Sequence, residues 1–380
     1  MAETFDIRPV AGKRDATMFV RVPRLLYRGM PGWVAPLDME RAENFNPKKN
    51  PFFRHAEVAF WLAWRGEEPV GRIAASIDQL HIDRYADATG HFGCLDCVDD
   101  PALVSGLLRT AEAWLRERGM KRVTGPFNLS INAESGLVTS GFTHRPMFMT
   151  PWNPPYLPPH VDAAGYAVAA DTMDYDFDVT QPVSAIGSGM LARSELASRV
   201  TTRGIRMGQL KADVRIALGL FNDAWANNWG FVPFTDAEIE HAASAMRPVL
   251  REVSATFVEI DGVAHAFALG IPNLLEWVDR FDGRLLPFNW VPFAWNVIRA
   301  RPNAVRIPLM GVSSTYQKSP LGAGLAMMAI EGLHRSGKKR GTRRAELGWV
   351  LEQNRPMRRI IERLGGKVSK TYRIYERALA

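Results

Sequence analysis

The chain has 380 residues, 47% of them hydrophobic and 23% charged, with a formal net charge of +7. That length exceeds one typical domain and suits two, and the apolar content is enough for substantial cores. No apolar run reaches the roughly 18 residues of a membrane-spanning helix, and two cysteines exclude a disulfide framework.

The modest basic excess fits an anionic ligand, a membrane surface or an RNA, and it fits a solvated basic surface equally well. In chain order, MAETFDIRPV has no apolar core of the secretion-signal kind, which points to the cytoplasm. The apolar, aromatic run 57–64 predicts a strand, Gly66-Glu67-Glu68-Pro69 turns, and 70–77 returns as its hairpin partner. A third strand is expected over 91–98. It carries Cys94 and Cys97, and residues three apart on a strand point to opposite faces, so the pair reads as two small buried, reduced thiols with no metal. Asp99-Asp100-Pro101 signals a helix over 102–119, in which Leu103, Leu107, Leu108, Ala111 and Leu115 recur at helical spacing. A further strand is expected over 121–131. There Phe127, Leu129 and Ile131 alternate with Asn128, Ser130, Asn132 and Glu134, a polar face aimed at water or at a shared cleft.

Residues 180–204, richer in Ser, Gly and Ala, read as a connection, after which the same order recurs. A helix over 214–225 is followed by a hairpin of 255–260 and 263–269 turning at Asp261-Gly262. Then come a strand over 305–312, a helix over 321–336, a strand over 346–351, a helix over 355–364 and a last strand over 370–375. Two copies of one mixed α/β fold, 1–178 and 179–380, is the economical reading. The stretch 285–298, LLPFNWVPFAWNVI, is too short to span a bilayer and is followed by Arg299 and Arg301. It suits a membrane interface, an acyl-chain channel or an irregular core loop.

The most specific run lies at the C-terminus. Leu347-Gly348-Trp349-Val350-Leu351-Glu352-Gln353-Asn354, then Leu364-Gly365-Gly366-Lys367 and Tyr372-Arg373-Ile374-Tyr375-Glu376, resembles the end of an acyl-CoA-binding GNAT acyltransferase domain. Pro308-Leu309-Met310-Gly311-Val312 is similar to that family's central strand, whose free backbone groups meet the pantetheine arm; Met310, Gly311 and Val312 are therefore implied to hold CoA. Gln317-Lys318-Ser319-Pro320-Leu321-Gly322, with Ala323, aligns with the pyrophosphate loop at a helix N-terminus. Pro320 stands where that loop has its first glycine, and it has no N–H to donate, although Pro suits the first turn of a helix. Asp99-Asp100-Pro101 takes the corresponding place in the first half, where two carboxylates repel a pyrophosphate.

The likeness extends to Pro51-Phe52-Phe53-Arg54-His55, Gly125-Pro126-Phe127-Asn128, Asn153-Pro154-Pro155-Tyr156 and Asn228-Trp229-Gly230-Phe231-Val232-Pro233. Over the whole chain it resembles a tandem GNAT family whose members include proteins like bacterial ceramide synthases. The fold implied is two tandem GNAT-like domains, each a mixed, partly antiparallel sheet flanked by helices. The first is a degenerate acceptor-side domain and the second binds acyl-CoA as co-substrate.

Acyl transfer to an amine needs a bound thioester, a base for the ammonium proton and an acid for the leaving thiolate. On 346–352, strand alternation puts Glu346, Gly348, Val350 and Glu352 on one face, with Leu347, Trp349 and Leu351 on the other. Glu352 and Asn354 fall where the resemblance places the catalytic cleft, Asn354 also being implied to contact CoA. Tyr316, Tyr372 and Tyr375 are candidate acids or core aromatics. Glu134 is a second candidate base, with His55 near it in the family pattern. The activity expected is an acyl-CoA-dependent N-acyltransferase acting on an amine, with long-chain transfer to a sphingoid base as its specific form. The alternatives are an aminoacyl-tRNA-dependent transferase of the peptidoglycan-bridge type and a non-catalytic CoA- or lipid-binding protein. The cluster Lys338-Lys339-Arg340 with Arg343-Arg344 is the main basic feature, and it equally suits the 3′-phosphate of CoA, so no nucleic acid is expected.

Overall fold

The computed structural model describes residues 4–183, 189, 195–251, 254–299 and 301–379. In the first half, β1 (Asp6–Pro9), β2 (Ala56–Arg65), β3 (Glu68–Asp78) and β4 (Thr89–Cys97) are antiparallel neighbours, and β5 (Arg122–Gly125) lies parallel to β4. β6 (Leu137–Ser140) and β7 (Ala167–Asp178) follow. In the second half, β8 (Val200–Arg203), β9 (Ala255–Ile260), β10 (Val263–Pro272) and β11 (Ala304–Val312) are again antiparallel, and β12 (Arg344–Leu351) lies parallel to β11. The halves then exchange their closing strands. β7 pairs with β12, while β13 (Lys367–Ala378) pairs with β5, β6 and β7. A single 13-stranded mixed sheet results, in the order β1-β2-β3-β4-β5-β13-β7-β12-β11-β10-β9-β8 with β6 beside β13.

The helices of the first half are α1 (Gly12–Tyr27), α2 (Asp38–Asn44), α3 (Gln79–Tyr85), α4 (Pro101–Glu117) and α5 (Leu157–Ala163). Those of the second are α6 (Leu210–Trp225), α7 (Asp236–Met246), α8 (Leu275–Val278), α9 (Trp290–Arg299), α10 (Ser314–Gln317), α11 (Pro320–Lys339) and α12 (Arg355–Arg363). They cover both faces of the sheet. Cys94 packs with Phe19 and Val22 of α1, and Cys97 packs with Leu103 and Leu107 of α4, so the two free thiols do lie on opposite faces. α11 starts at Pro320, where the absent N–H leaves no helical acceptor unpaired, and Ser319 caps it by accepting from the Gly322 N–H.

Three expectations are corrected. The strand expected over 121–131 ends at Gly125, because Pro126 cannot extend the ladder. Residues 127–135 turn back on themselves: the Asn128 N–H donates to the Glu134 carbonyl at 2.9 Å, and Leu129 takes φ +78°. The polar side chains of that run therefore belong to a loop. The connection over 180–204 lies partly outside the described residues, and its end is the strand β8 paired with β9. The stretch 285–298 does not pack in the core, since none of its residues is buried.

The halves meet along the segment Asn228-Trp229-Gly230-Phe231-Val232-Pro233. Tyr85 Oη donates to the Phe231 carbonyl at 3.0 Å and Asn132 Nδ2 to the Val232 carbonyl at 2.8 Å. Two side chains of the first half thus fix the entrance to α7 and the loop before it.

Candidate active site

Parallel pairing of β11 with β12 runs from Ala304–Arg344 to Ile307–Leu347 and stops there. Two local features open the strands. Pro308 has no N–H for a ladder bond, and the register of β12 against β7 slips between Leu347 and Val350. The slip also reverses the expected alternation. Leu347 and Val350 both pack in the core with Tyr175 and Phe177, while Trp349 and Leu351 turn to the opposite face.

There, together with Pro308 and Leu309, they open onto a cavity of about 220 Å³. Its walls are overwhelmingly apolar: Leu218, Phe221 and Trp225 of α6, Met246 of α7, then Leu250, Phe257 and Leu269. Ile131, Asn132 and Ser135 from the loop of the first half line it on another side.

A buried polar cluster adjoins this cavity on the central strands. Glu346 on β12 accepts from Lys370 Nζ of β13 at 2.8 Å, in an ion pair with 0% and 2% side-chain exposure. Asp174 on β7 accepts from Tyr372 Oη at 2.6 Å and is fully buried. Among the described residues, Asp174 Oδ1 and Glu346 Oε1 have no hydrogen-bond partner. Burial and the nearby Glu346 charge push the Asp174 carboxyl up to about 7. The same burial, with the two carboxylates, holds the Tyr372 hydroxyl well above its usual range. Arg306 of β11 reaches from the cavity wall into this region. It donates to the Phe148 and Met149 carbonyls at 3.2 and 2.5 Å and lies 4.6 Å over the Trp349 ring.

The residues singled out from sequence do not converge. Glu352 lies past the end of β12 and is exposed. Asn354 is the N-cap of α12, accepting from the Met357 N–H at 3.3 Å. Glu134 is buried and forked by Arg41, with Asn128 Nδ2 at 2.7 Å; burial opposes its charge, but these partners hold it below the usual carboxylate range. His55 stands between Asp78 (2.9 Å) and Glu238 of α7 (3.4 Å). Burial again opposes the charge, and the two carboxylates outweigh it, raising His55 to about 9, so it is a cation that ties the halves together. Tyr316 meets the His265 ring edge-on at 5.0 Å, and Tyr375 is buried in the first half's core. Of the three tyrosines, Tyr372 alone is bonded to the carboxylate cluster.

Asp174 and Lys370 were missed. The signal was available for β7: in Met173-Asp174-Tyr175-Asp176-Phe177-Asp178, apolar and acidic residues alternate with the strand period. Two elements far apart in sequence bring Asp174 and Glu346 together, and no sequence spacing encodes that.

In the segment from Met310 to Ala323 the chain turns tightly before α11. A Cβ on residue 322 would collide with the Tyr316 carbonyl oxygen, so Gly322 lets the chain close tightly before α11. Gln317 Nε2 donates to the Ala224 carbonyl at 2.9 Å and Trp225 Nε1 to the Met310 carbonyl at 3.0 Å, fastening α6 to this loop and to β11. Gly311 lies close against Ala224 and Leu220 of the same helix, while Lys318 is exposed. Leu321 packs with Leu325 and Ala329 of its own helix against the sheet.

No family model matches the chain. It is 40% identical over 372 residues to a protein of Caulobacter vibrioides named bacterial ceramide synthase, covering 98% of this chain and 97% of that one. It is 35% identical over 373 residues to Protein YghO of Escherichia coli, covering 98% and 95%. Among solved structures, a tandem GNAT protein from the clavulanic acid biosynthesis pathway matches with a TM-score of 0.57 at 12% identity, over 99% of both chains. A GCN5-related N-acetyltransferase from Sphaerobacter thermophilus matches with 0.53 at 13% identity, over 99% and 96%. The strand order, the opened β11–β12 pair and these full-length likenesses agree, and the chain belongs to the tandem GNAT N-acyltransferase family that includes the bacterial ceramide synthase.

Proposed function

We propose that this acyltransferase moves a long acyl chain from acyl-CoA to the amine of a sphingoid-type lipid base, in the cytoplasm at the inner face of the membrane. One observation carries the reading: an apolar cavity opens where β11 and β12 part, and Arg306 of its wall acts on the buried Asp174 carboxylate, whose Oδ1 has no hydrogen-bond partner among the described residues. An alkyl chain matches the walls, and a developing amide needs a proton acceptor where the walls end. The name of the Caulobacter vibrioides relative supports the same substrate class.

Acyl-CoA supplies the activated thioester; Met310, Gly311, Val312 and residues 317–323 hold it in this reading. Asp174 takes one proton of the acceptor ammonium, the freed nitrogen lone pair attacks the thioester carbonyl, and as the C–S bond breaks the leaving thiolate takes the second nitrogen proton to give CoA thiol. Tyr372 orients that carboxylate, and Glu346, paired with Lys370, opposes a second charge on Asp174. Since the working form of Asp174 is the unprotonated one, activity rises as pH passes through about 7. The test is mass-detected amide formation from long-chain acyl-CoA and a sphingoid base. Turnover of acetyl-CoA alone, with no long-chain transfer, overturns the lipid part.

A further inference from the structure

The turn and helix at 285–299 invert the usual pattern of a helix on a water-soluble protein. Val291, Trp295 and Ile298 recur at the spacing that stacks side chains on one helix face, and that face points outward with exposures of 51, 56 and 71%. Leu286 and Phe288, 76 and 78% exposed, extend the patch, and Trp290 joins it at 53%. Single exposed apolar residues are ordinary; six in one segment are a surface built for something other than water.

Charge identifies the partner. Between Gly283 and Pro302 the charged residues are Arg284, Arg299 and Arg301, with no acid among them. Arg299 lies 4.7 Å over the Trp295 ring, so cation and aromatic form one unit. A second copy of this chain would bring like charges together, whereas an anionic phosphate surface is complementary to all three. Ten residues cannot cross a hydrocarbon layer that needs about 20. Trp and Phe beside Arg are the composition of a helix lying in the headgroup zone.

We propose that this segment docks the protein on an anionic bilayer, with Leu286, Phe288, Val291, Trp295 and Ile298 among the lipid chains and Arg284, Arg299 and Arg301 on lipid phosphates. The contact is joined to the cavity. Arg251 donates to the Val297 carbonyl of α9 at 2.8 Å, and its chain neighbour Leu250 lines the cavity wall. Resting on the proposed function, this sets the docking face next to a wall of the cavity that would take the lipid acceptor.

Co-sedimentation of the full chain with phosphatidylcholine vesicles, with and without phosphatidylglycerol, tests the docking in the absence of acyl-CoA and acceptor. The wild-type chain pellets with the anionic vesicles and is released by salt. The triple variant Phe288→Ser, Trp295→Ser, Ile298→Ser lowers partitioning about tenfold or more. The variant Arg284→Gln, Arg299→Gln, Arg301→Gln abolishes the preference for phosphatidylglycerol. Circular dichroism and CoA binding of both variants match the wild type. Equal partitioning of wild type and variants, or a wild type that stays in the supernatant, overturns the proposal. So does a wild-type dimer in ultracentrifugation that the serine variant converts to monomer. Amide formation assayed in detergent without vesicles tests the substrate reading separately, so either can fail alone.

Discussion

Each half joins a parallel strand pair through one long helix, and the two treat the gap between those strands in opposite ways. In the first half, β4–β5 pairing ends at His91–Thr124, and the chain itself then fills the opening. The Phe127 N–H donates to the Phe92 carbonyl at 2.8 Å, and the Cys94 N–H donates to Asn128 Oδ1 at 2.9 Å. Gly93 is needed there because a side chain would strike the Phe127 carbonyl. The following helix, α4, is capped by Asp100, whose carboxylate accepts from the Ala102 and Leu103 N–H groups at 2.8 and 3.2 Å. In the second half, β11 and β12 part at Ile307–Leu347 and leave a cavity, and the cap of α11 is the neutral Ser319. A backbone that satisfies its own hydrogen bonds cannot offer them to a pantetheine arm, and a carboxylate at a helix start occupies the place of an anion. The same fold thus yields one closed, structural gap and one open gap that can accept a ligand.

The largest expected effect comes from Asp174→Asn. It lowers kcat by about 100-fold or more and removes the rise of activity through neutral pH, measured by a pH series of amide formation. An unchanged profile would separate the open gap from its carboxylate. The same variant alters stability. Asp174 ionises with a pKa near 3.8 when unfolded and about 7 when folded, so the folded chain retains a proton that the unfolded chain releases between those values. Its contribution is fully present below about 4 and is lost as pH rises through 7. Asn should therefore flatten that fall and raise stability at pH 8 by about 2 kcal/mol in urea titrations.

Next in size, Leu218→Trp fills the cavity and lowers kcat/KM for long-chain donors about tenfold relative to acetyl-CoA, at an overpacking cost of about 1–3 kcal/mol. Calorimetry should then find one CoA per chain, weakened several-fold by Gly322→Ala, since the added methyl displaces the Tyr316 carbonyl. Two CoA sites per chain would break the comparison outright. The smallest effect belongs to the closed half. Asp100→Ala costs about 1 kcal/mol in thermal melts through loss of the cap, with CoA affinity unchanged.

Much of this was legible in the residues. The hairpins, the helix starts at Pro101 and Pro320, the opposed thiols and the terminal Leu-Gly-Trp and Tyr-Arg-Ile-Tyr runs are local patterns, set by side-chain periodicity, capping chemistry and a backbone that lacks an N–H at proline. The apolar, arginine-flanked segment at 285–299 was equally visible as composition, although its exposure was not. Three things belonged to the tertiary structure. The exchange of β7 and β13 depends on which strand edges remain open after each half has formed. The face on which Trp349 and Leu351 lie depends on a one-residue register slip that reverses every later side chain. The meeting of Asp174 with Glu346, and with it a carboxyl poised near neutrality, depends on burial and on like charges brought together from distant parts of the chain. Local propensity determines which elements exist. Desolvation and long-range contact decide which of their residues can do chemistry.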